Sequence, residues 1–410
     1  MRLPWSDWIP GVLSVPQVRE LCDQGYLTQT SPKPSLDHSS IDLHLQDEAW
    51  FLPRGSIKPS GRSYLHFVEQ HNLATKLSSE DGTYVLEPRK TYLFRIQERL
   101  GPLRDSGIYG EATAKSSVGR LDVLARLVVD GTSRYEGFSP DELAQSSGDM
   151  FIEITPMTFR VRVGRGKSLS QLRLFYGEPA ACEIRSRELW NTVLYAPDCD
   201  ARARVDGTLS VDLDPDKIGG LDVGAFEVPG SLKSEDVIDL WNKPDAEKPS
   251  PCPYWKFRKA DQNQRLEINQ KSFYILRSRE RLRLTAGVAA YCKAIDETIG
   301  EMRIHYAGFV HPYFGLDRKD GKTGTPLIFE VRGHDVDVNL IHREKLARLT
   351  FYRMSKDAVE SDVESPQKKR YNEQELKLSG YFDDWPEALT IKEDGSVGPP
   401  VPASEAGTQS

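Results

Sequence analysis

The second half of this chain rewrites the first. LEPRKTYLFRIQERL at 86–100 has a counterpart in LEINQKSFYILRSRERL at 266–282, with small length adjustments. Further on, Glu153 and Gln171 are 18 residues apart, as are Glu330 and Arg348. Between them Phe159, Val161, Val163, Leu169 and Leu172 match Val336, Val338, Leu340, Leu346 and Leu349 without a gap. Apolar residues that recur in the same parity present the same strand to the same core twice. Two matched blocks in the same order predict two copies of one β-fold.

The runs between turn residues agree. SIDLHL at 40–45, TYLFRI at 91–96, FRVRV at 159–163 and SQLRLFY at 170–176 alternate with period two, the pattern of a β-rich sandwich or barrel. Ahead of them a short helix is expected from Val15 to Gly25, begun by Ser14 and Pro16 and stopped by the glycine. At 410 residues the chain is too long for one compact core. The expected division is a first β-domain over 1–180 and a connector over 181–250. A second β-domain follows over 251–355, then a C-terminal lid segment over 356–385 and a disordered tail over 386–410.

A formal net charge of −7 argues against sequence-independent binding to a nucleic acid polymer, while leaving room for a local basic pocket for a small polyanion. No stretch approaches the 18 apolar residues of a membrane helix, and MRLPWSDWIPGVL has no secretory apolar region. The five cysteines (Cys22, Cys182, Cys199, Cys252, Cys292) are scattered and contain no C-x-x-C, which fits free thiols in the cytoplasm.

Two local motifs mislead. Gly166-Lys167-Ser168 imitates the end of a phosphate-binding P-loop, but the first glycine of that motif falls at Val161 and no helix follows. His342-x-Glu344 imitates half of a zinc deaminase site, yet no cysteine lies beyond Cys292 to complete it. The histidines show no ligand spacing, so no metal site is expected.

SSIDLHL at 39–45 and KSSVGR at 115–120 resemble segments of the 2′-deoxycytidine 5′-triphosphate (dCTP) deaminases, in particular the bacterial two-domain branch. GVLSVPQVRELCDQGYL resembles that family's opening helix, and GDMFIEITPMTFRVRVGRGKSLSQLRLF its catalytic-glutamate strand and following hairpin. HYAGFVHPYFG at 305–315 and LIFEV at 327–331 are similar to the nucleoside hairpin and catalytic strand, this time in the second copy. RYNEQELKLS at 370–379 is similar to the C-terminal lid. The resemblance implies a mainly β architecture of two tandem dUTPase-like β-barrel or jelly-roll domains with a short N-terminal helix. It also implies zinc-independent hydrolysis of dCTP to dUTP and ammonia, feeding dUMP and dTTP synthesis. By the same resemblance no cofactor is expected on the protein, Mg²⁺ is expected to accompany the triphosphate, and association into homo-oligomeric rings is allowed.

Residue types fit these roles. Lys115, Ser116 and Ser117 offer ammonium and hydroxyl donors at a turn, suited to phosphate oxygens; taken alone they fit a solvated Ser-rich turn equally. By resemblance Lys115, Ser117 and Gln171 bind phosphates, Ser116 also helps to hold the attacking water, and Arg120 reaches the site. Glu153 and Glu330 each sit in an apolar run, and either simply faces solvent or lines a cleft where burial equips it for proton transfer. The copies differ. The first keeps Lys115-Ser116-Ser117 and Gln171 but reads VVDGTSRYEGF at the hairpin; the second keeps HYAGF and Glu330 but reads DETIGE opposite KSSVGR. The expected site is therefore composite, with phosphates on the first copy and cytosine and sugar on the second. Glu330 is the expected catalyst and Glu153 the weaker alternative. Tyr306, Ala307, Phe309 and His311 are expected at the nucleoside, and Arg370, Tyr371 and Gln374 in a lid over the triphosphate. His311-Pro312-Tyr313 stands where the family has Asp-Pro-Gly. That departure keeps in view a catalytically weak nucleotide-binding or sensing protein, and the shared fold keeps in view a dUTP or dCTP pyrophosphatase.

Overall fold

The computed structural model describes residues 5–28, 35–143, 148–195, 207–231, 236–241, 247–295, 302–305, 308–316, 318–360 and 373–400. Helix α1 (Val15–Asp23) begins after Ser14, whose backbone N–H donates to Gln17 Oε1 at 3.1 Å, and ends ahead of Gly25 at φ 78°. Pro16 costs nothing there, because first-turn amides have no partner within the helix. The rest is mainly β.

The first copy contains strands β1 (Ser40–Leu52), β2 (Thr91–Ile96), β3 (Ile108–Ala114), β4 (Val123–Val129), β5 (Gly137–Phe138), β6 (Met150–Pro156) and β7 (Ser168–Tyr176). They are hydrogen-bonded in the order β4-β6-β2-β1-β7-β3-β5. The second contains β8 (Thr208–Asp212), β9 (Phe273–Leu282), β10 (Val288–Ala294), β11 (Met302–His305), β12 (Gly308–Val310), β13 (Thr325–Gly333) and β14 (Lys345–Arg353). Their order is β11-β13-β9-β8-β14-β10-β12, the first order with seven added to every strand. Two copies of one barrel-like β-fold account for this coincidence, and β6 with Glu153 and β13 with Glu330 are the same strand in each.

β1 shows how each copy curves. Its first residues pair with β7 and its last with β2, with a register shift between Leu45 and Ala49, so one long strand turns from one half of the sheet to the other. Ile41, Leu43 and Leu45 are fully buried, while the polar positions between them are half-buried. The second copy has its own core, which includes Leu209, Leu276, Phe329 and Phe351.

Two expectations need correcting. Residues 194–228, placed in the connector, supply β8 and two further strands (Leu194–Tyr195 and Ala225–Val228) to the second sheet. TLSVD at 208–212 is β8, the counterpart in the second copy of the strand that carries SIDLHL, shortened and isolated by flanking polar sequence. Residues 386–400, placed in a disordered tail, form a small hairpin from Thr390–Ile391 and Val397–Gly398. It is anchored by Leu389 and Val397, which are buried with Phe382 beside Phe257 and Trp255. Hydrophobic contact at those two positions outweighs the Gly- and Pro-rich composition around them.

The copies are fastened together by a separate apolar cluster including Val12, Phe175, Ala289, Phe309, Tyr352 and Met354. Gly11 permits this approach, since a Cβ there would lie 2.6 Å from the Ser355 backbone nitrogen. Among the described residues no helix is long and apolar enough to cross a membrane, and Cys22, Cys182, Cys252 and Cys292 are free thiols.

Candidate active site

Strand β3 ends at Ala114, and the chain turns at once into the short helix α2 (Ser116–Gly119). The turn is tied to the sheet by Lys115 N–H, which donates to Leu169 O at 3.0 Å. Lys115 Nζ pairs with Asp42 on β1 at 2.6 Å. Gln171 on β7 is flanked in register by Asp42 and Thr113, so the three side chains share a face, and Ser40 Oγ donates to Gln171 Oε1 at 3.3 Å. Ser116 is exposed at the start of the helix and Ser117 is half-buried beside it. Lys115, Ser116, Ser117 and Gln171 thus belong to one end of the first copy.

Arg120 follows α2 and is buried. Its guanidinium donates to Gln374 Oε1 at 2.7 Å and to Lys377 O at 3.2 Å. Gln374 in turn donates through Nε2 to Pro326 O on β13 at 3.0 Å. Nearby, Ser379 Oγ donates to Ser117 O at 2.6 Å. The C-terminal segment 374–379 therefore runs as a strap from β13 of the second copy to α2 of the first. Glu375 holds it down through Arg281 at 2.6 Å and Arg318 at 3.0 Å.

Beneath the strap lies Glu330, 5% exposed on β13. Burial pushes its carboxyl up to about 8 from an ordinary 4.5; the Arg120 charge works against the rise and the Asp122 charge adds to it. No hydrogen bond reaches this carboxylate from the described residues. Behind it Cys292 on β10 is pushed up to about 12 by its own burial and by the Glu330 charge.

Glu153, the same position in the first copy, is built in differently. Its carboxylate accepts from Arg126 Nη2 at 2.6 Å, from Tyr135 Oη at 3.1 Å and from the Ile57 backbone N–H at 3.1 Å. Tyr135 belongs to VVDGTSRYEGF, the altered hairpin. Ile57 belongs to an inserted segment that also carries the helix Tyr64–Gln70, and Tyr64 Oη fixes it by donating to Ile57 O at 2.7 Å. One copy thus offers a buried carboxyl that accepts no hydrogen bond from the described residues, and the other a carboxylate committed to three donors.

The hairpin residues lie where the copies meet. His311 Nδ1 is 2.9 Å from Ser39 Oγ, and its Nε2 is 3.9 Å from Asp37 Oδ2. Phe309 lies 4.1 Å from the guanidinium of the fully buried Arg173, which donates to Ala290 O and Ser39 Oγ. Tyr313 has φ 68°, a conformation open to glycine at no cost. Its hydroxyl donates to Ala358 O at 2.8 Å and its ring meets that of His38. The side chain that stands where the family has glycine is thus held by Ala358 of its own half and by His38 of the first copy. Tyr306, Ala307, Arg370 and Tyr371 lie outside the described residues.

Sequence reasoning missed Asp122, Arg332 and Arg173, which join the copies. The first two were within reach, since each stands two residues beyond an expected site residue. Among the described residues one group could gather a cation, Asp212, Asp214 and His342. Two of its three side chains are engaged: His342 Nδ1 accepts from Leu213 N–H at 3.1 Å and Asp212 pairs with Arg277 at 2.9 Å, while Asp214 is exposed.

Comparison with known proteins gives matches along the chain. The model of the 2′-deoxycytidine 5′-triphosphate deaminase N-terminal domain matches residues 9–178. The model of the same enzyme's C-terminal domain matches 191–382, beginning inside the expected connector. The crystal structure of 2′-deoxycytidine 5′-triphosphate deaminase from Agrobacterium tumefaciens is similar with a TM-score of 0.71 and 26% identity, over 85% of this chain and 97% of that one. No curated protein matches.

Proposed function

This chain belongs to the 2′-deoxycytidine 5′-triphosphate deaminase family, and on that premise we propose that it hydrolyses dCTP to dUTP and ammonia at one composite site per chain. The observation that carries the reading is the asymmetry between the two glutamates. Glu330 is buried, unbonded among the described residues and raised to about 8, whereas Glu153 is spent on Arg126, Tyr135 and Ile57.

In the proposed reaction Glu330 takes a proton from water as the hydroxyl oxygen bonds to cytosine C4. It returns that proton to N3, giving a tetrahedral centre that holds both oxygen and the amino group. The hydroxyl proton, relayed through the same carboxyl, reaches the amino nitrogen, and the C–N bond breaks with release of ammonia. Water and dCTP are consumed and dUTP and ammonia formed, with no redox change. A carboxyl that binds its proton up to about pH 8 suits this relay, because it both accepts and donates near neutrality. Ser116 and Arg120 hold the water and the carboxylate in position. Lys115, Ser117 and Gln171 receive the triphosphate, which enters with Mg²⁺ as part of the substrate. Gln374, with Arg370 and Tyr371, closes over it, and Phe309, His311, Tyr306 and Ala307 form the nucleoside side. dUTP made in this way is a precursor for dUMP and dTTP.

The test is to incubate the protein with dCTP and Mg²⁺ and follow ammonia, dUTP and pyrophosphate together. Ammonia and dUTP in equal amounts, abolished by Glu330→Gln, support the reading. Pyrophosphate with dCMP, or full turnover by Glu330→Gln, overturns it.

A further inference from the structure

Two residues beyond Arg120 stands Asp122, and two beyond Glu330 stands Arg332; these two meet directly across the boundary between the copies. Asp122 is fully buried and Arg332 is 6% exposed. Thr158 Oγ1 donates to the same Asp122 oxygen at 2.5 Å and accepts from Arg332 Nη1 at 3.0 Å, while Arg332 Nη2 donates to Lys271 O at 3.2 Å. Asp122 occupies a left-handed backbone position at φ 55°, where the turn after α2 closes through Asp122 N–H to Gly119 O at 2.8 Å. Alternation along β13 puts Arg332 on the same face as Glu330. Each copy thus presents one cation and one anion spaced by two residues, and they meet crosswise: Arg120 beside Glu330, Asp122 beside Arg332.

We propose that Asp122 and Arg332 are positioning residues for the deamination, a buried cross-copy pair that seats Arg120 against Glu330 and balances the charge acting on the Glu330 carboxyl. This rests on the reading that Glu330 is the working acid–base. The groups facing Glu330 are Arg120 and Asp122 from the first copy, Cys292 from β10 and Arg332 on its own strand; β11 sets His305 opposite it in register. Arg89 also acts on Asp122. Among these, Asp122 and Arg332 neutralise one another. Removing Asp122 leaves a buried cation close to Glu330; removing Arg332 leaves two buried carboxyls that compete for a proton, since burial already raises Asp122 to about 6.

The signs are opposite, and that makes the inference testable. Asp122→Asn removes an anion and leaves Arg332 uncompensated, so the Glu330 carboxylate is favoured. The acidic limb of kcat/KM for dCTP then moves to lower pH by about two to three units, the order expected for a unit charge about 4–6 Å away at an effective dielectric constant near 20. Arg332→Gln leaves Asp122 uncompensated and moves the limb to higher pH by a similar amount. The double variant Asp122→Asn/Arg332→Gln returns it to within about 0.3 unit of the parent. Opposite shifts with recovery in the double variant support the inference. A uniform fall in kcat/KM with the limb unmoved makes the pair merely structural and overturns it. If a single variant does not fold, Arg332→Lys and the double variant carry the test: both must keep the limb near the parent's, and a double variant displaced by a full unit overturns the inference. Glu330→Gln, assayed alongside, separates the two layers. Turnover surviving in that variant defeats the functional reading itself, whereas its loss with unmoved limbs defeats only the role of the pair.

Discussion

Replacing Glu330 by Gln isolates the cost of keeping a carboxyl group in the composite site. In the unfolded chain this carboxyl releases its proton near its ordinary 4.5, and in the folded protein near 8. Between those values the native state holds a proton that the unfolded state has lost, so the parent's stability falls as pH rises through that window and levels off above it. At pH 7 the gap is two and a half units, which at 1.36 kcal/mol per unit amounts to roughly 3 kcal/mol. Gln fills the same space without titrating. Glu330→Gln is therefore expected to gain little at pH 4.5, to exceed the parent by about 3 kcal/mol at pH 7 and by about 4–5 kcal/mol at pH 8.5, while losing dCTP turnover. Urea unfolding of both proteins at pH 4.5, 6, 7 and 8.5 reads this directly. A gain equal at every pH, or a variant less stable than the parent at pH 8.5, would refute the claim that desolvation raises this carboxyl.

Three further outcomes follow from the same geometry. Glu153→Gln strands Arg126 and weakens three hydrogen bonds, so it should cost about 1–3 kcal/mol of stability, read by urea unfolding, with kcat for dCTP within about threefold of the parent. Gln374→Ala cuts the link from Arg120 to Pro326 O and should lower kcat/KM by about tenfold, the scale of one hydrogen bond to a charged group, in steady-state assays that follow ammonia. Tyr313→Gly relieves a left-handed side-chain-bearing residue but removes the bond to Ala358 O, so thermal unfolding should shift little and KM for dCTP should stay within about threefold.

What could be read in advance followed from local pattern. TYLFRI at 91–96 became β2 with those bounds, and the offset that matched Glu153 to Glu330 is the offset between β6 and β13. Period-two alternation and turn residues act over a few neighbours, so they survive in one sequence. β8 was missed because five residues carry too little alternation to stand out; its place is fixed by pairing with β9 and β14, each more than sixty residues away. The hairpin near 390–398 was missed for a similar reason, since only two apolar residues anchor it. The difference between the glutamates was visible only in part. FIEI and IFEV are equivalent as local sequence, and the Arg126, Tyr135 and Ile57 donors that settle Glu153 arrive from three other segments. The Asp122–Arg332 pair joins positions 210 residues apart, a separation that no periodicity encodes.

The proposed reaction requires one working site in a chain with two copies of the fold. Calorimetric titration of Glu330→Gln with dCTP and Mg²⁺ tests that most directly, because substrate binds without turning over. One dCTP per chain, with affinity reduced by changing Lys115 and unchanged by Glu153→Gln, is the predicted result. Two equivalents per chain, the second abolished by changing Glu153, would contradict it.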